Sequence, residues 1–199
     1  MKNLLQLTTL IVLLSIIPFE SFSQGQYSYS ASYEKESFFS MQVGSGITYG
    51  GKFGLMATFK ANEWLGIFGA VGHYSGVPLG FGFYDYYSKR AQRVTYDVLD
   101  FTKNTLTGFG YTLGAKFCFN DFYMGLQYFS AGEFNDIEKQ IKMPISGINW
   151  TMFGGNHSIR CSRFFFDWAL NLGMTINSDS EGEIGGVMLG LSLGLGYEF

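Results

Sequence analysis

The sequence predicts an all-β fold, an eight-stranded antiparallel transmembrane up-and-down β-barrel. Three observations predict it. The last stretch, Val187 to Phe199, alternates strictly. Val187, Leu189, Leu191, Leu193, Leu195, Tyr197 and Phe199 are apolar, and Met188, Gly190, Ser192, Gly194, Gly196 and Glu198 between them are mostly small or polar. That is the period of a strand with one oily face. The 199 residues hold 27 Gly, 21 Phe and 13 Tyr but only 3 Pro, and 15% are charged, a composition suited to many short strands and turns. Finally, short turns and long polar connections alternate along the chain.

The N-terminus reads as an export signal over residues 1–23. Lys2 supplies the positive start, Leu4 to Ile17 the apolar run, Pro18 the break, and Ser21-Phe22-Ser23 the small residues before cleavage at Gln24. The apolar run is shorter than the roughly 20 residues that a helical span needs. No Cys stands at the cleavage site, which argues against a lipoprotein. Residues 24–36 read as a polar, Ser/Tyr-rich periplasmic lead-in, and residues 37–199 as the barrel.

Strand one is expected from Phe38 to Tyr49, with Phe39, Met41, Val43, Ile47 and Tyr49 on the oily face, and Gly50-Gly51 as a tight hairpin. Strand two, Lys52 to Lys60, places Phe53, Leu55, Ala57 and Phe59 on that face, and Ala61-Asn62 turns the chain. Strand three, Trp64 to Tyr74, is apolar on both sides, so its facing stays open. A long connection, Ser75 to Leu106, carries the aromatic cluster Phe81 to Tyr87 and the basic residues Lys89, Arg90 and Arg93. Within it, Arg93 to Leu99 could extend a strand beyond the membrane. Strand four, Gly108 to Phe119, sets Phe109, Tyr111, Leu113, Ala115, Phe117 and Phe119 against Gly108, Gly110, Thr112, Gly114, Lys116 and Cys118. After Asn120-Asp121, strand five runs from Phe122 to Ala131. A polar loop is expected over Gly132 to Ser146. Strand six spans Ile148 to Ile159 with a bulge near Gly154-Gly155. After Cys161-Ser162, strand seven runs from Arg163 to Ile176. An acidic loop, Asn177 to Gly185, leads to strand eight, the closing segment.

Long loops at one end and short turns at the other describe an outer-membrane barrel; only Gly50-Gly51 departs from that rule. The facing follows from bulk. A soluble barrel would have to hold all the Phe, Leu and Trp inside, more than eight strands can enclose. Turned outward to lipid, that bulk leaves the glycines to line a narrow lumen. By alternation Lys60, Lys116, Asp167 and Glu198 point inward, and confined charges are expected to pair. Cys118 and Cys161 lie two inter-strand steps apart, about 10 Å, beyond the reach of a disulfide.

The end of the chain carries a resemblance. Ser192, Gly194, Tyr197 and Phe199 stand where the β-signal read by the barrel assembly machinery has its polar, glycine and hydrophobic or aromatic residues. With the strand map, the mature chain resembles the small eight-stranded outer-membrane β-barrel family typified by the OmpA transmembrane domain and OmpX. The resemblance implies the cell outer membrane, with both termini periplasmic. It also implies outer-membrane lipid and lipopolysaccharide around the belt, and assembly machinery as a partner. The chain ends on its last strand, so no link to the cell wall is expected.

Chemistry is sparse. The formal charge of −3 leaves no footprint for nucleic acid. No metal spacing, phosphate-binding loop or paired-carboxylate site stands out, so no cofactor is expected. Some small barrels modify lipid A through a Ser, a His and an acid. His73 with Ser75 and His157 with Ser158 are the candidates here. The first pair has no acid placed beside it, and the second pair points to opposite faces. The expected function is therefore a barrel without catalytic activity in a structural or surface-interaction role, with an unknown ligand at its external loops. A narrow porin-like channel for small solutes and a lipid A-modifying enzyme are the alternatives.

Overall fold

A computed structural model describes residues 39–76, 80–98, 103–119, 121–159 and 163–199. The expected signal peptide and lead-in lie outside the described residues, as do Asn120, Cys161 and Ser162. Among the described residues, ten strands form one antiparallel sheet: β1 (Phe39–Gly46), β2 (Gly51–Asn62), β3 (Leu65–Gly76), β4 (Gly80–Ser88), β5 (Arg93–Val98), β6 (Asn104–Phe119), β7 (Phe122–Asp136), β8 (Ile141–Ser158), β9 (Phe164–Ser178) and β10 (Gly182–Glu198). Eight of them, β1-β2-β3-β6-β7-β8-β9-β10, close into a ring when β1 pairs with β10 from Ser40↔Glu198 to Ser45↔Leu193. Closure removes the edges that an open sheet would present.

The ring has two tiers, because β10 is twice as long as β1. Below, β10 pairs with β1. Above, from Gly190↔Gly80 to Gly182↔Ser88, it pairs with β4. The hairpin β4–β5 occupies the place that the short β1–β2 hairpin leaves vacant. Its β4 strand holds the aromatic cluster Phe81 to Tyr87, which was expected in a long connection.

β1 stops where it does because Gly46 takes φ of 115°, a conformation open to glycine. Ile47, Thr48 and Tyr49 then form one turn of 3-10 helix inside the lumen, and Gly50 at φ 71° returns the chain to β2. Ile47 and Tyr49 are therefore buried in the interior, not displayed on the oily outer face as alternation suggested. Room for this inward turn comes from a row of glycines in register across five neighbouring strands: Gly194↔Gly44, Gly44↔Gly54, Gly54↔Gly72 and Gly72↔Gly110. A Cβ on Gly54 would overlap the Tyr49 carbonyl oxygen, one on Gly110 the Gly50 carbonyl oxygen, and one on Gly72 would lie 2.7 Å from the Tyr49 carbonyl oxygen.

The outer face matches the predicted facing on β2, β6 and β10. β3 resolves with Ile67 and Val71 outward and Phe68, Ala70 and Tyr74 inward. Phe53 is 75% exposed and Phe109 84%, values that favour lipid over water as the neighbour. On β6 the apolar outer band runs from Phe109 to Phe119; at ~3.4 Å per residue and a tilt of ~40° it stands about 25 Å tall. Rings gather at its terminal end, where Phe164–Tyr197, Tyr197–Phe199 and Phe39–Phe199 approach to 4.9, 5.0 and 5.6 Å.

Above the band the amphipathic sense inverts. Leu106, Phe134, Ile141, Met143, Ile145 and Ile184 turn their apolar side chains inward, while Glu133 and Lys142 lie outside and pair at 2.9 Å. This explains two differences from the expected strand map. The polar stretch Gly132 to Ser146 is mostly strand, with β7 reaching Asp136 and β8 beginning at Ile141. The acidic stretch 177–185 likewise narrows to a turn between Ser178 and Gly182. A register shift between Ser130 and Glu133, with Gly132 at φ 71°, lets β7 change phase on the way. The expected β8 bulge falls slightly earlier, between Thr151 and Phe153. β2 also outlasts its expected end, and the Asn62 side chain accepts from the N–H groups of Trp64 and Leu65 at 3.1 and 2.8 Å to build the turn.

Two glycine substitutions should separate cradle from wall. Gly54→Ala should destabilise the barrel by about 1–3 kcal/mol, because the inward turn must shift. Gly69→Ala, whose nearest neighbour lies at 3.8 Å, should stay within about 0.5 kcal/mol. The temperature at which the compact, heat-modifiable gel band is lost reads both.

Candidate functional site

The interior is the place where this chain concentrates polar groups, and it is arranged in layers. At the terminal end, Lys60 and Glu198 meet at 3.2 Å, both partly exposed at the rim. Deeper in, Asp167 of β9 accepts hydrogen bonds from the hydroxyls of Tyr49 and Tyr123, the latter at 2.9 Å. The Lys116 ammonium stands 3.8 Å from the same carboxylate. It lies 4.4 Å from the centre of the Tyr123 ring and 5.2 Å from that of Phe68, so two aromatic faces share its charge. The four charges predicted to face the lumen thus fall into two pairs, Lys60–Glu198 and Lys116–Asp167.

The middle layer is built on the inward turn. Thr48 donates its hydroxyl to the Asn171 side-chain carbonyl at 3.2 Å, and Asn149 and Thr151 donate to that same oxygen at 3.2 and 2.9 Å. Asn171 donates to the Ser192 hydroxyl at 2.9 Å, and Ser192 donates to the Thr48 hydroxyl at 3.1 Å. Thr112 donates to the Ile47 carbonyl at 2.8 Å. Every one of these side chains is buried. Burial of so many polar groups is tolerable because most of them satisfy one another; the Asn149 side-chain oxygen is an exception, buried without a hydrogen-bond partner.

The hairpin end is apolar. Ile47 of the turn forms its floor, and Tyr74, Leu106, Phe129, Phe134, Met143 and Met188 fill it. Tyr84 reaches in from β4, donates to Asp136 on β7 and meets the Phe134 ring at 5.0 Å. Lys139 pairs with Asp97 above it. A cavity of about 30 Å³ remains beside Tyr84, Ile184 and Met188, little more than the volume of one water.

The residues of the predicted assembly signal divide between the two faces. Ser192 and Gly194 point into the lumen, where Ser192 joins the middle layer. Tyr197 lies in the outer aromatic girdle with Phe199. His73 and Ser75 are exposed, and the His73 ring sits edge-on to Phe109 at 5.3 Å. His157 packs likewise against Phe122 at 6.1 Å. Among the described residues no salt bridge joins either histidine to an acid. The sequence reading missed Thr48, Tyr49, Thr112, Asn149 and Asn171. A usable signal was the pair of glycines, Gly46 and Gly50, flanking the turn, together with polar residues at matching heights on the small-residue faces.

Replacing Asp167 with asparagine leaves one side-chain oxygen to accept from Tyr49 or Tyr123, leaves the Lys116 charge buried and uncompensated, and should cost about 3–5 kcal/mol. Adding Lys116→Met to that variant should recover part of the loss, while Lys60→Ala at the rim should cost under about 1 kcal/mol. Urea unfolding of the refolded proteins measures all three; equal additive losses at Asp167 and Lys116 would contradict the pairing.

No family model and no curated protein matches the chain. Among solved structures it is similar to Ail, the attachment invasion locus protein of Yersinia pestis. The identity is 15% over 81% of this chain and 93% of that one, with a TM-score of 0.28. It is also similar to Ail in complex with the heparin analogue sucrose octasulfate, at 13% identity over 81% and 94% and a TM-score of 0.26. Superpositions this loose carry no argument about function. On its own geometry the chain is a closed antiparallel β-barrel of eight ring strands, the architecture of the small outer-membrane barrels.

Proposed function

We propose that the chain is a non-catalytic outer-membrane β-barrel with a structural or surface-interaction role. In this reading residues 1–23 direct export, residues 24–36 are a periplasmic lead-in, and the apolar band of the barrel sits in outer-membrane lipid and lipopolysaccharide. Both termini are periplasmic, Ser192, Gly194, Tyr197 and Phe199 are read by the barrel assembly machinery, and the hairpin end faces outward with its ligand still to be found.

The observation that carries the reading is the inversion of amphipathic sense along single strands. On β8, Ile148 and Phe153 face outward in the band, whereas Ile141, Met143 and Ile145 face inward beyond it. A strand wholly in water keeps one sense throughout. A strand that leaves a hydrocarbon layer for water must exchange its faces, because lipid takes the oily side below and the core takes it above. Strand continuation past the band, with Glu133–Lys142 on its outside, supports placing the hairpin end in solvent.

Filled layers from Lys116 and Asp167 up to Phe134 and Ile184 favour a closed body over a channel, as the width of eight strands allows. The refolded protein in planar bilayers should therefore pass no steady ion current under applied voltage; stable unitary currents would overturn the closed-barrel reading.

A further inference from the structure

The closing seam of the ring is short. β1 and β10 are in register only from Ser40↔Glu198 to Ser45↔Leu193, while β10 pairs with β9 on its other side from Tyr197↔Phe164 to Glu183↔Ser178. Within that seam Gly44 and Gly194 stand directly opposite each other. The Tyr49 ring lies over both. A Cβ on Gly44 would come within 2.6 Å of the ring, and a Cβ on Gly194 would overlap its hydroxyl. The hydroxyl donates to Asp167 on β9 and lies 3.1 Å from the Gln42 side-chain oxygen on β1. Its neighbour Thr48 hydrogen-bonds Ser192 of β10 through its backbone N–H at 3.3 Å and through its hydroxyl at 3.1 Å. A turn that belongs to the β1–β2 hairpin is thus fastened to the two strands on the far side of the seam.

We infer that Tyr49 and Thr48 form an internal lock for barrel closure. The bare backbones of Gly44 and Gly194 admit the ring only when β1 and β10 lie side by side, and the hydroxyl contacts then span β1, β10 and β9 at once. Backbone pairing zips the seam; the lock holds it from inside. Ser192 and Gly194 thereby have a role in the finished barrel besides any role in its assembly. Tyr49 acts as a positioning residue, through the strands on which it rests.

The test must distinguish a seam lock from ordinary core packing. In the mature chain with Cys118 and Cys161 replaced by serine, Tyr49→Ala should speed loss of the compact gel form in denaturant by about a hundredfold or more. Tyr49→Phe, which keeps the ring, should speed it by about tenfold. A disulfide across the seam, from Val43→Cys with Leu195→Cys at register partners, should restore most of the loss in Tyr49→Ala. A control disulfide between β2 and β3, from Leu55→Cys with Val71→Cys, should not. If Tyr49→Ala fails to fold when reduced, the compact band after oxidation gives the same comparison: recovery with the seam pair alone supports the lock. Equal recovery with both pairs, recovery with neither, or no effect of Tyr49→Ala overturns it.

Discussion

The inward turn Ile47–Tyr49 and the glycine row beneath it are the constraint on which the rest of the barrel depends. Eight strands enclose a lumen little wider than two opposed side chains. A turn of backbone can enter only where the wall gives up its own side chains, and Gly194, Gly44, Gly54, Gly72 and Gly110 do so on adjacent strands at one height. Once the turn is inside, it divides the interior into a polar compartment below and an apolar one above. Ile47 faces one and Tyr49 the other. The same turn ends β1 early, which opens the place on β10 that β4 fills.

The polar compartment follows from that division. The turn brings its own N–H and carbonyl groups into a space without solvent, and they need partners. Thr112 and Ser192 supply them from β6 and β10, and Asn171 of β9 accepts from the Thr48 hydroxyl, so the turn is held by the wall and the wall by the turn. Asp167 extends the arrangement downward by accepting from Tyr49 and Tyr123 while balancing Lys116. A buried pair of this kind adds little net stability but makes the loss of one member costly. It therefore favours one arrangement of the lumen over alternatives.

Period-two alternation made the eight ring strands and their outer face legible, most clearly at Phe109 to Phe119 and Val187 to Phe199. It failed in three places, each for a physical reason. At Ile47 and Tyr49 the odd-numbered pattern runs on past Gly46, but the left-handed backbone there turns both side chains inward. At Phe81 to Tyr87 aromatics occur on both faces, and the strand exists because β10, a hundred residues on, offers it an edge. From Gly132 to Ser146 the outward residues are polar because the strand has left the apolar band, so a strand looked like a loop. The inward charges Lys60, Lys116, Asp167 and Glu198 were readable from parity alone. Their division into two pairs depended on height within the barrel and on Tyr49, which parity had placed on the wrong side.

The position of the Tyr49 ring tests the account most directly. In nuclear Overhauser spectra of the refolded protein in lipid nanodiscs, its ring protons should show cross-peaks to the α-protons of Gly44 and Gly194 and none to lipid acyl chains. Cross-peaks from the Tyr49 ring to acyl chains, with none to those glycines, would place the side chain on the lipid face and contradict both the inward turn and the layered interior built on it.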